Sequence, residues 1–192
     1  MKTIIIIMIA LLATPADGDD TLKENLPESL NRILEHEGLF SNDPKDNGGM
    51  TMRGVTQAVY ENWVDRPVTE AEMKALTVGD VAPIYKKEYW DRIKGDDLSP
   101  GLDLLLFDMA VNSGTGRASR ILQQVVGTKV DGGIGPVTLA AVARMDPVDI
   151  IHEYSARREA FYKRLAQPRF EKGWLRRNEK TQIAALRMAE AG

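Results

Sequence analysis

The sequence predicts an all-α, mainly helical protein built as two lobes flanking a cleft. Apolar residues recur at helical spacing in segment after segment, and no alternating strand pattern of useful length interrupts them. One segment, Leu102 to Val111 (LDLLLFDMAV), is apolar nearly all round, which marks a buried central helix. A polar, glycine-rich loop separates the first two helical segments, and a short hairpin after Glu37 is compatible with its turn residues.

The chain opens with Lys2 and an apolar run from Thr3 to Ala13, broken by Thr14-Pro15-Ala16. A charged start, an apolar core and small residues behind it read as a secretory signal over residues 1–16. The run falls short of the ~20 apolar residues of a spanning helix, and a retained signal-anchor, with transient membrane association, is the second reading. Residues 17–26 are expected to form an acidic mobile segment, residues 27–95 a first lobe and residues 96–192 a second. Pro27 suits the first turn of a helix whose apolar stripe, Leu30, Ile33 and Leu34, leads to Glu37 before Gly38 stops it.

A second helix begins near Thr56, with Val55, Val59 and Trp63 at helical spacing. Thr69-x-x-Glu72 is a capping box for a short helix through Leu76. Asp80 reads as the next N-cap, with Pro83 in the first turn and Tyr85, Tyr89 and Ile93 beyond it. Trp90 could line a sugar-binding cleft or fill the core. Ser99-Pro100 starts the central helix, where Asp103 can face outward. Asp108, set among Leu104, Leu105, Phe107 and Met109, needs a backbone or arginine partner. Asn112, one turn on, could point into the cleft. Further helices are expected from Arg117 to Val126, from Pro136, from Asp146-Pro147 through Leu165, and from about Trp174 to Met188.

Composition excludes several chemistries. The 192 residues contain no cysteine and only two histidines, His36 and His152, so thiol catalysis and disulfides are out and a zinc site is poorly supplied. A net charge of −3 leaves no nucleic-acid footprint. Nothing in the sequence calls for a metal or organic cofactor, and a monomer is expected. The charge is uneven. Residues 17–100 carry 18 acidic and 10 basic side chains, and residues 152–192 carry 5 and 10. That basic end could meet an anionic wall polymer or lipid, or simply balance the acidic part.

Glu37 lies on the apolar stripe at a helix end, where burial and the negative helix pole both raise a carboxyl pKa. That suits a general acid, although a solvated helix-end Glu is the plainer reading. The loop behind it supplies Asp43, Asp46 and Thr51. A protonated carboxyl facing a second carboxylate is what glycoside hydrolysis requires.

The stretch Glu37 to Thr56 (EGLFSNDPKDNGGMTMRGVT) resembles the signature of the glycoside hydrolase family 108 muramidases. Glu37-Gly38, Asp43-Pro44, Asp46, Gly48-Gly49, Thr51, Gly54 and Thr56 match it, whereas Leu39-Phe40 replaces Gly-Tyr. Phe107 to Gly114 (FDMAVNSG), Leu122-Gln123 and Val130 to Val142 (VDGGIGPVTLAAV) resemble that family's C-terminal peptidoglycan-binding helical domain. The resemblance covers about residues 28–180 and implies a lysozyme-like fold. It also implies an enzyme that cuts the β-1,4 bond from N-acetylmuramic acid to N-acetylglucosamine in peptidoglycan glycan strands. Glu37 would be the acid, with Asp46 and Thr51 activating water or Asp46 stabilising the oxocarbenium ion. Asn112 and Trp90 are the expected substrate contacts. A Thr hydroxyl beside an Asp favours an inverting route. A lytic transglycosylase and a non-catalytic wall-binding protein are the alternatives.

Overall fold

The computed structural model describes residues 25–35, 40–41 and 50–191. The export signal expected over residues 1–16, Glu37 and Asp46 lie outside the described residues. Helix α1 (Asn25–Leu34) starts two residues before Pro27, which sits in its first turn as expected. A small antiparallel sheet follows, β1 (Phe40–Ser41), β2 (Thr51–Met52) and β3 (Val55–Thr56), in the order β1-β2-β3. The remaining elements are helical: α2 (Gln57–Val64), α3 (Glu70–Ala75), α4 (Val78–Tyr85), α5 (Leu102–Ser113), α6 (Thr115–Val125), α7 (Pro136–Val142), α8 (Pro147–Arg164) and α9 (Pro168–Ala191). The mainly helical fold is the one the sequence predicts.

Local signals explain most boundaries. Thr69 caps α3 and Glu72 returns the bond to the Thr69 N–H, completing the predicted box. The N-cap of α4 is Thr77, with Asp80 at the third helical position bonding back to the Thr77 N–H (2.8 Å). Asp80 is therefore half of a second capping box and not the cap itself. This sets Pro83 inside the helix, past the first turn. Proline has no N–H to donate to the preceding turn, and α4 runs on into a π turn (Lys86–Trp90) and two 3₁₀ turns, Asp91–Ile93 and Gly95–Asp97. Helix α9 begins at Pro168, earlier than the expected Trp174. Proline suits a first helical position, and the Phe170 ring stacks on Trp174 one turn later (5.7 Å).

Helix α5 is the hub. Every residue from Leu102 to Ala110 is buried, and α1, α6, α8, α9 and the π and 3₁₀ turns pack round it. Its start lies so close to α9 that a Cβ on Gly101 would fall 2.1 Å from the Ala185 carbonyl oxygen, and Gly101 also has a φ of +86°. Only glycine fits there.

Two carboxylates on this helix are fully buried. Asp108 meets Arg158 of α8 (2.5 Å) and Arg177 of α9 (2.9 Å), which supplies the partner its position demanded. Burial opposes its charge, but the two guanidinium groups outweigh burial and hold its pKa below the usual carboxylate value. Asp103 does not face out as expected. The first turn of α5 is covered by α1, and Asp103 accepts bonds from the Gly101 and Leu104 N–H groups (2.8 and 2.6 Å) and from Asn25 Nδ2 (3.0 Å). With no cation beside it among the described residues, burial pushes its pKa up to about 6 despite those bonds.

Asp108→Ala should cost about 3–5 kcal/mol in urea unfolding, because it strands a fully buried Arg158. Asp103→Asn should act in the other direction. A folded-state value above the unfolded one means that this group's contribution is complete below the unfolded pKa and is lost as pH rises through about 6. The shift from 3.8 to about 6 corresponds to roughly 3 kcal/mol. The stability difference between Asp103→Asn and the parent should therefore move in the variant's favour between about pH 4 and pH 7.

Candidate active site

The sheet and α2 are built as one rigid piece. The pairs Thr51↔Thr56 and Met52↔Val55 put both threonines on one face of the sheet and both apolar residues on the other. Met52 and Val55 are buried in the core, so the threonine face turns away from it. The turn joining the strands, Arg53-Gly54, has positive φ at both residues (50° and 75°), the geometry of a type I′ hairpin. Long-range bonds fix this turn: Arg53 Nε donates to the Leu76 carbonyl (3.1 Å) and the Tyr85 hydroxyl donates to the Arg53 carbonyl (3.0 Å). Thr56 caps α2 by accepting the Val59 N–H (3.3 Å).

A cleft of about 620 Å³ opens beside this piece, within the range of small-molecule sites. Its walls are Gly54 of the hairpin turn with β3, α2 through Val59, Asn62 and Trp63, the α4–π segment through Tyr85, Lys87, Glu88 and Tyr89 with Arg92 beyond it, and Gly114-Thr115 after α5. Trp63 is 39% exposed, and the Lys87 ammonium lies 5.3 Å from its ring centre. Arg92 is held by Glu88 (2.5 Å). Aromatic faces beside amide and hydroxyl groups are what a polar ligand with apolar patches, such as a sugar, packs against.

The expected site residues fall in different places. Thr51 is half-buried on the same sheet face as Thr56, which lines the cleft. Asn112 is half-buried in the last turn of α5, two residues before the cleft-lining Gly114. In the chain, Glu37 follows the exposed Glu35 by two residues, and Asp46 lies between β1 and β2. Trp90 is not a cleft residue. It is fully buried, its indole N–H donates to Asp96 (2.8 Å), and its ring meets Phe107 edge-on (5.3 Å). The aromatic groups on the cleft are Trp63, Tyr85 and Tyr89. Val59 and Trp63 carried a signal in sequence, an i,i+4 stripe, but that stripe reads as core and only its exposure shows that it lines the cleft. Among the described residues, no group of three His, Asp or Glu side chains is placed to hold a metal ion.

The Asp131-Gly132-Gly133 element serves the fold. Gln123 of α6 donates to Asp131 (2.7 Å) and to the Gly133 carbonyl (2.9 Å), and it accepts the Gly132 N–H (2.9 Å). The bond from Gln123, and after it one from the Gly133 N–H (3.1 Å), hold the Asp131 carboxyl below its usual pKa.

The family described as Glycosyl hydrolase 108 matches residues 30–114, and the one described as Predicted Peptidoglycan domain matches residues 117–179. The two matches meet at the first turn of α6. The solved structure of Brucella abortus SagA is similar to this chain with a TM-score of 0.73 and 38% identity, over 87% of this chain and 97% of that one. No curated protein sequence shows significant similarity.

Trp63→Ala should leave the melting temperature nearly unchanged, since its ring is substantially exposed. It should lower kcat/KM on purified peptidoglycan about three- to tenfold, the value of roughly 0.5–1.5 kcal/mol of aromatic packing.

Proposed function

Because the chain belongs to the glycosyl hydrolase 108 family and is a peptidoglycan-acting glycoside hydrolase, we propose that it is an N-acetylmuramidase. It cuts the β-1,4 bond from N-acetylmuramic acid to N-acetylglucosamine. Glu37 protonates the leaving oxygen. Asp46 and Thr51 hold and activate the attacking water, which gives inversion at the anomeric carbon. The observation that carries this reading is the family match running from residue 30 to 114. It takes in Glu37, Asp46 and Thr51 together with the cleft walls that follow them. The Thr51 hydroxyl has no hydrogen-bond partner among the described residues, so it is available to a water.

The protein works on the wall from outside the cytoplasm, delivered by residues 1–16 as a cleaved signal. N-terminal sequencing of the exported protein should begin near Asp17, and an intact Met1 form in membranes would point to a retained anchor.

Mass analysis of digested peptidoglycan should show products with reducing N-acetylmuramic ends, whereas anhydro ends would mean a transglycosylase. Glu37→Gln should lower activity at least about 100-fold, because general acid catalysis is worth roughly 10²–10⁴-fold. Glu35→Gln, at an exposed position just past α1, should do almost nothing. Asp46→Asn should lower turnover without altering the melt, and turnover within a few-fold of the parent would remove Asp46 from the mechanism.

A further inference from the structure

The end of α5 is wired to the second family-matched region by a chain of hydrogen bonds whose direction can be deduced. Arginine only donates. Arg158, anchored on Asp108, donates from Nε to the Tyr162 oxygen (3.0 Å). The Tyr162 proton must then point elsewhere, and the Asn112 side-chain oxygen accepts it at 2.7 Å. Met109 Sδ, at 3.5 Å, is the weaker and more distant acceptor. The Ser113 hydroxyl lies 3.0 Å from the same Asn112 oxygen and can add a second proton to it. The amide of Asn112 is thereby oriented, oxygen inward and Nδ2 away. Tyr162 cannot turn, being fully buried with its ring stacked on Trp174 (5.4 Å).

Among the described residues Asn112 Nδ2 has no partner. It is half-exposed in the last turn of α5, two residues before Gly114, which lines the cleft. We infer that Asn112 meets the glycan strand through Nδ2 as a hydrogen-bond donor, and that Tyr162 is the positioning residue that keeps this donor outward. The inference rests on the muramidase reading of the cleft. An N–H donor needs an acceptor, and on an N-acetylated amino-sugar strand the acetamido carbonyl is a strong one. The region matched as a peptidoglycan domain would then do more than anchor: through Tyr162 it completes the site of the other region.

The test uses the whole protein on soluble glycan strands, with melts of each variant. Asn112→Asp keeps the oxygen that accepts from Tyr162 but has no N–H to donate. Tyr162→Phe keeps the ring stack but frees the amide to turn. Each should raise KM about three- to tenfold, the worth of one neutral hydrogen bond, while kcat holds. The double variant should lose no more than either single one, because both remove the same contact. An unchanged KM in Asn112→Asp overturns the donor role. An unchanged Tyr162→Phe, or losses that multiply in the double variant, overturns the positioning role. If Tyr162→Phe does not fold, Asn112→Asp alone decides the donor contact. A parent that cleaves no glycan strand sinks the muramidase reading as well, whereas a cleaving parent with an indifferent Asn112→Asp sinks only this inference.

Discussion

The buried carboxylate of Asp108 is the constraint on which the rest of the structure depends. It sits in the middle of α5, in the region matched to the hydrolase, and both its cations come from the region matched to the peptidoglycan domain. An isolated charge in that interior would cost several kcal/mol. The helix can therefore be buried all round only if α8 and α9 pack where their arginines reach it. One charge thus fixes the docking of two long helices on a third. The two regions then share one core, and the hydrolase part is not a free-standing lobe with an appended anchor.

The contrast with Asp103 shows what the arginines contribute. The two carboxylates are five residues apart on one helix and both are buried, yet their pKa values move in opposite directions. Among the described residues Asp103 has only neutral donors, two backbone N–H groups and an amide, and these offset burial in part. Asp108 has two full charges, which outweigh it. The first arrangement closes the N-terminal turn of α5 and ties it to α1. The second ties α5 to α8 and α9, and through Arg158 and Tyr162 it orients the Asn112 amide.

The cleft is held from the other side by a few long-range bonds. The hairpin between β2 and β3 is only six residues long from Thr51 to Thr56, too short to be stable by itself. It is fixed because Arg53 and Tyr85 tie its turn to the ends of α3 and α4, while Met52 and Val55 reach the core. Thr51 and Thr56 are presented on the opposite face of a support that cannot slip by one residue without exposing that apolar pair.

The sequence by itself determined what depends on near neighbours: the helical class, the Thr69 capping box, the proline starts of α7 and α8, the burial of α5 and the need of Asp108 for a partner. Each follows from a period or from a bond spanning three or four residues. The motif carrying Glu37, Asp46 and Thr51 was legible too, because it is contiguous. Only the tertiary structure decided which arginines answer Asp108, since they lie 50 and 69 residues away. It also decided that Asp103 is covered, because its cover is α1, and that Trp63 and not Trp90 faces the cleft. Both tryptophans sit on helical stripes. Which stripe is core depends on rotation, and the π turn after Pro83 shifts the helix by one extra residue, about 100°. A side chain's period is local, but what lies opposite it is set by the closing of the whole chain.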